Sequence, residues 1–263
     1  MNIKLNEKTA LITGSTSGIG LAIATGLYKT GASIILNGRN EEKLEKIKSQ
    51  SIFDNKKRVS SIAADVGTAK GCKKIFEHYP HVDILINNAG IFEPQDIFEI
   101  SDDTWEKYFN INVMSGIRLS RFYIPKMIQK GWGRTIFVSS ESALQIPLEM
   151  PHYGLTKTAQ IAAARGFAQA AAKTGVTVNS ILPGPTHSDG VNKFIRKIIP
   201  NKELTIEEAG EEFIKTVRPG SLIGRLSTAE EIANAAIFLA STQSSSITGT
   251  ALRVDGGVIQ SIL

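Results

Sequence analysis

Seven short stretches, apolar nearly throughout, limit the folds open to this chain. They are TALIT (Thr9–Thr13), SIILN (Ser33–Asn37), VSSIAAD ending at Asp65, VDILINNAG, RTIFVSS, VTVNSILPG and ALRVDGG. Runs this short, without polar alternation, predict strands of a sheet covered on both faces. Longer amphipathic stretches separate them, such as GIGLAIATGLYKTG and TAEEIANAAIFLAS. That alternation predicts βαβ units and parallel strands, hence a three-layer, doubly wound α/β domain of about seven strands. A long helix is expected over Ser101–Lys130, with Ser101 or Asp102 as its N-cap. No linker divides the chain, so residues 1–263 are expected to form one domain. An insertion over 186–220, after the sixth strand, carries two helical patterns and is expected to act as a substrate lid.

Composition narrows the classes of function. With 30 Lys and Arg against 25 Asp and Glu the net charge is +5, and the signs are interspersed, which argues against a nucleic-acid stripe. No run approaches eighteen apolar residues and the N-terminus lacks a signal-peptide pattern, so no membrane association is expected. The lone Cys72 has no metal-ligand spacing around it and cannot form an internal disulfide. A reducing, cytoplasmic setting and no metal site are therefore expected. His78 and His81 are separated by Pro80 and lack a third ligand, so they read as surface residues.

TGSTSGIG, Thr13–Gly20, lies between the first strand and the first helix. Gly14, Gly18 and Gly20 permit a tight turn, and the helix N-terminus behind it offers unpaired N–H groups to a pyrophosphate. Tyr153 and Lys157 stand four apart at the start of a later helix, so they share a face. An ammonium there would favour a phenolate and lower the tyrosine pKa from its ordinary ~10 toward useful acid–base chemistry. Ser140 ends the fifth strand, on the side where open parallel sheets bind ligands; Ser139 should face the other way.

The T-G-x-x-x-G-x-G spacing, NNAG (Asn87–Gly90), the Y-x-x-x-K pair, PGPT (Pro183–Thr186) and RVDGG (Arg253–Gly257) together resemble the short-chain dehydrogenase/reductase family. The resemblance runs from Thr9 to Gly257 and implies a Rossmann fold. It also implies hydride transfer between a nicotinamide and a carbonyl or secondary alcohol. Tyr153 would be the general acid/base, Ser140 would bond the substrate oxygen, and Lys157 would bind the nicotinamide ribose. Asn112, rather than Asn110, would hold a water linking Lys157 to solvent. The cofactor would lie against Gly14, Ser15, Thr16, Ser17, Gly18, Ile19 and Gly20. Further on it would meet Asp65, Val66, Asn88, Ala89, Gly90, Pro183, Gly184 and Thr186.

The second strand ends in Asn37-Gly38 with no acidic residue for a ribose 2′-OH, and Arg39 follows, which favours NADP(H) over NAD(H). The small residues after Tyr153 (Ala159, Ala162, Ala163, Ala164, Gly166, Ala168) imply, by the same resemblance, a homotetramer or homodimer. Trp105 and Trp132 read as packing residues, and Glu141 and Glu149 as solvent-facing. Two other readings stand beside the reductase: a 3-oxoacyl-carrier-protein reductase, and a non-catalytic dinucleotide-binding regulator. All four catalytic positions being filled argues against the regulator.

Overall fold

The computed structural model describes residues 2–201 and 203–262. Met1 and Leu263, at the limits of the expected domain, and Lys202 in the insertion lie outside it. Seven strands form one wholly parallel sheet: β1 (Thr9–Ile12), β2 (Ser33–Gly38), β3 (Val59–Ala63), β4 (Ile84–Asn87), β5 (Gly133–Val138), β6 (Val176–Pro183) and β7 (Ala251–Val254). Their order is β3-β2-β1-β4-β5-β6-β7. The order reverses at β1, so the crevice beyond the carboxyl ends of β1 and β4 is the expected ligand site.

Strand alternation assigns the core. Ala10 and Ile12 of β1 join Ile34, Leu36, Ile84, Ile86 and Ile136 on one face. That face is covered by α1 (Gly18–Lys29) and α9 (Ala229–Ala240), which pack against each other. Leu11, Ile35, Leu85, Phe137 and Val178 point the opposite way, toward α3 (Ala69–His78), α5 (Ser115–Lys130) and α6 (Pro151–Ala170). Cys72 belongs to this second layer, and burial pushes its thiol up to about 11.

Local signals set the helix ends. The Asn40 side chain caps α2 (Glu41–Lys48) by accepting from the Lys43 amide. Thr205 with Glu208 and Thr228 with Glu231 form reciprocal capping boxes on α8 (Ile206–Val217) and α9. α5 stops at Gly131, whose φ of 70° suits glycine.

The long helix predicted over Ser101–Lys130 is not one regular helix. Ser101 caps α4 (Asp102–Tyr108), but Phe109–Met114 forms a π-helical turn before α5. A π turn fits an extra residue into the helix and re-aims the side chains inside it. Here Asn112 is fully buried, while Asn110 bonds back to the Glu106 carbonyl. Between β6 and β7 the chain adds α7 (Asp189–Ile198) and α8. Their apolar faces, with Phe194, Ile195, Phe213 and Ile214, form a third cluster that includes Met150 and packs against Phe92 and Tyr153.

Candidate active site

A cavity of about 270 Å³ opens at the carboxyl end of the sheet. Its floor is the glycine turn, its side wall the end of β5 and the start of α6, and its roof α7 and α8. Twelve of the residues expected from sequence line it: Ser17, Gly18, Ile19, Gly20, Asn88, Gly90, Ser140, Tyr153, Lys157, Pro183, Gly184 and Thr186.

The turn is built to leave room. Gly14 and Gly18 have φ of 63° and 53°, which a side chain would strain. A Cβ on Gly20 would stand 2.5 Å from both the Asn88 amide nitrogen and the Gly14 carbonyl oxygen. Asn88 donates to the Thr13 and Gly14 carbonyls at 2.9 and 3.1 Å, locking the end of β4 to the turn. Thr13 Oγ1 accepts from the Asn88 and Ala89 amides, each at 3.0 Å. Ser15 bonds β2 through Asn37, and Ser17 caps α1 with no side-chain hydrogen bond, so the first amides of α1 stay open to an anion. These features fit the diphosphate of a dinucleotide. PGPT lies across the cavity, and a Cβ on Gly184 would meet the Asp255 carbonyl oxygen at 2.6 Å, which ties PGPT to RVDGG.

The remaining cofactor residues lie outside the cavity. Asp65 is exposed beyond β3 and accepts from the Gly67 amide, with Val66 buried beside it. Asn37 is buried, its amide donating to the Ile62 and Ala64 carbonyls at 3.1 Å. Arg39 is exposed and pairs with no acidic side chain among the described residues. A second depression beside the turn is lined by Thr16, Ser17, Asn40 and Lys43.

At the other wall, Ser139 and Ser140 follow the end of β5 at Val138, and their hydroxyls take different partners. Both line the cavity, but Ser139 Oγ donates to the Lys157 carbonyl at 2.8 Å. Ser140 Oγ accepts from the Ser142 amide at 3.1 Å and lies within hydrogen-bonding reach of the Tyr153 phenol. Lys157 is buried, and its Nζ donates to the Val138 carbonyl at 2.8 Å and to Gln160 Oε1 at 3.1 Å. It sits 5.4 Å from the centre of the Tyr153 ring.

The expected depression of the tyrosine pKa is absent from this state. Burial pushes the Tyr153 phenol above its ordinary value, against the Ser140 hydrogen bond, while burial pushes Lys157 down to about 7. Removing either group from water penalises its charged form, and the ammonium is anchored to other acceptors. Asn112 is likewise committed. Its Oδ1 accepts from the Ile91 amide at 2.8 Å, and its Nδ2 donates to the Ile91 carbonyl and to Thr156 Oγ1 at 3.0 Å.

Two features were missed from sequence. Gln160 is buried and donates through Nε2 to the Asn112 carbonyl at 2.6 Å, while its Oε1 holds Lys157. Its signal was its place one turn beyond Lys157 on the same helix face. The second is an ion cluster beneath the insertion between β6 and β7. Glu141 and Glu149, expected to face solvent, both bind Arg218 at the end of α8. Nε lies 3.2 Å from Glu141 Oε1, and Nη2 lies 2.8 Å from Glu149 Oε1. Glu141 is only 4% exposed, because the short 3₁₀ turn Glu141–Ala143 tucks it under the insertion. Burial raises its carboxyl pKa despite Arg218. Burial also opposes the Arg218 charge, but the two carboxylates outweigh it and hold the guanidinium above its usual value. His152 is fully buried against Tyr108 and Trp105, and burial lowers its pKa.

A doubly wound parallel sheet with a glycine-rich anion turn at its switch point defines a dinucleotide-binding oxidoreductase fold. The short chain dehydrogenase sequence family matches residues 8–198. The uncharacterized oxidoreductase YvaG of Bacillus subtilis is 48% identical over the full length of both chains. The 3-oxoacyl-[acyl-carrier-protein] reductase FabG of Rickettsia prowazekii is 33% identical, over 98% of this chain and 99% of its own. Among solved structures, L-sorbose reductase from Gluconobacter frateurii, complexed with NADPH and L-sorbose, superposes with a TM-score of 0.91 at 31% identity over all of both chains. The chain belongs to the short-chain dehydrogenase/reductase family. It is an oxidoreductase of alcohol and keto groups that uses a nicotinamide dinucleotide. No helix among the described residues is long and apolar enough to cross a membrane.

Proposed function

We propose that this enzyme is an NADP(H)-dependent carbonyl reductase, working reversibly as an alcohol dehydrogenase, with Tyr153 as general acid/base. The observation that carries the reading is the convergence of Ser140, Tyr153 and Lys157 on one cavity wall, facing the glycine turn. Nicotinamide supplies or takes the hydride when the dinucleotide is bound. Ser140 and the Tyr153 phenol bond the substrate oxygen, and Tyr153 gives up its proton as that oxygen gains charge. Lys157 holds the nicotinamide ribose and supports the ionised tyrosine. The insertion 186–220 acts as the substrate lid, its apolar side chains excluding water from the reacting atoms.

Preference for NADP(H) is supported by the commitment of Asn37 inside the sheet, the exposed Arg39, and Lys43 in the neighbouring depression. The NADPH complex of the L-sorbose reductase neighbour agrees with it. The exposed Ala162, Gly166 and Ala170, opposite the face of α6 that meets the sheet, support pairing of this helix with a second copy. Carrier-bound 3-oxoacyl thioesters remain a second reading because of the FabG likeness.

The test is an NADPH-oxidation screen over ketones, aldehydes, quinones and 3-oxoacyl thioesters. Tyr153→Phe should lower turnover of the best substrate by about 10²-fold or more. Turnover within a few-fold of wild type would refute the role of Tyr153, and thioesters outrunning every free carbonyl would favour the second reading.

A further inference from the structure

Gln160 is a polar side chain buried in the protein, yet both ends of its amide are engaged. Oε1 accepts from Lys157 Nζ at 3.1 Å, and Nε2 donates to the Asn112 carbonyl at 2.6 Å. The geometry falls to Gln160 because Lys157 and Gln160 are one turn apart on α6, and the π turn brings the Asn112 carbonyl against that face. Asn112 in turn reaches Thr156, whose hydroxyl donates to the Tyr153 carbonyl at 2.7 Å. A closed ring of hydrogen bonds and helix backbone thus joins Lys157, Gln160, Asn112, Thr156 and Tyr153.

We propose that Gln160 is a positioning residue for the reaction, holding Lys157 charged and in place by bridging it to the main chain at Asn112. The proposal rests on the reading of Lys157 as a catalytic residue. An amide neither gains nor loses a proton near neutral pH, so this bridge transmits position and polarisation and carries no proton. Two of the three ammonium hydrogens are directed to fixed acceptors, Val138 O and Gln160 Oε1, which orients the third. Gln160 Oε1 favours the charged form of Lys157 against the burial that opposes it.

The test reads the lysine directly. The titration of Lys157 is followed by NMR in cofactor-free protein carrying ¹³C-lysine, with its signal assigned by Lys157→Ala. Gln160→Met keeps the length and removes both polar ends, and should lower the Lys157 midpoint by about one pH unit. Gln160→Glu keeps an acceptor and adds a charge beside the ammonium, and should raise it. In the NADPH-dependent direction, Gln160→Met should lower kcat about tenfold while the ketone KM stays within about twofold, and its alkaline limb should move down with the lysine. A residue that only fills space would lower the unfolding temperature and leave midpoint and limb in place. Midpoints within about 0.3 unit of wild type in both variants would overturn the proposal. If Gln160→Met does not fold, Gln160→Glu decides, upward in favour and unmoved against. The NMR midpoint is read without cofactor or substrate, so it judges Gln160 even where the reductase reading fails.

Discussion

Replacing Arg218 by Met tests whether the buried ion cluster holds the insertion 186–220 in place. The substitution keeps the unbranched stem and removes the charge that Glu141 and Glu149 share. Breaking a buried pair by removing one partner costs about 3–5 kcal/mol. Glu141 has an escape, since it can take up a proton instead of remaining an unpaired anion. With an unfolded-state pKa near ~4.3, that protonation costs about 3.7 kcal/mol at pH 7 and about 1.6 kcal/mol at pH 5.5. The loss at pH 7 is therefore about 3 kcal/mol. An unfolding entropy of about 0.55 kcal/mol/K for 263 residues converts it to a fall in Tm of about 5 °C. The sign with pH follows. In the variant the folded-state pKa of Glu141 lies above its unfolded value, so the penalty is present above that pKa and fades as the pH drops. Scanning calorimetry of both proteins at pH 7 and pH 5.5 should show the gap shrink by about half at the lower pH. A gap under about 2 °C at pH 7, or one of equal size at both, would refute the argument.

Arg39→Ala should weaken NADPH binding about tenfold, the loss of charge-assisted bonds to a phosphate, and leave NADH within about twofold. Fluorescence titration of both nucleotides checks it, and an unchanged ratio removes Arg39 from the 2′-phosphate. Because burial raises the Tyr153 pKa, the phenolate needed to oxidise an alcohol is scarce at neutral pH. Oxidation should therefore gain in kcat/KM from pH 7 to pH 10 while reduction does not, and a flat oxidation profile would count against Tyr153 as the base.

The sheet was legible because strands covered on both faces are mostly apolar, and β1, β2, β4 and β5 show that with little interruption, while β6 buries Thr177, Asn179 and Ser180 and β7 is only partly buried. The β3 region departs furthest. VSSIAAD suggested a strand to Asp65, but pairing ends at Ala63, where β2 ends at Gly38. The glycine turn was legible because positive φ and close approach to Asn88 both exclude side chains. The π turn was not, since nothing in FNINVM marks a change of helical period; in the fold it coincides with bonds from Asn112 to Ile91 and Thr156. Glu141 and Glu149 looked like solvent-facing residues because their partner, Arg218, lies 77 and 69 positions away. Gln160 was passed over because its one local mark, a place one turn beyond Lys157 on the same helix face, does not by itself separate a functional amide from a packed one. Its importance depends on which carbonyl the neighbouring helix presents.

The titration behaviour of the Tyr153–Lys157 pair bears on how the site divides its work. Burial moves the two groups in opposite directions, the phenol up and the ammonium down to about 7. Both shifts favour the uncharged pair, a protonated tyrosine beside a readily deprotonated lysine. Under the proposed role of Tyr153, a protonated tyrosine is the form that donates to a carbonyl oxygen as it gains charge. The reverse reaction needs the phenolate, and the chain opposes it with buried Glu141, whose negative charge also raises the Tyr153 pKa. The groups that counter this are the Ser140 hydroxyl on the phenol and Val138 and Gln160 on the ammonium. The protonation balance of the pair is thus set in part by groups outside it: the carboxylate beneath the insertion, and the amide behind the lysine.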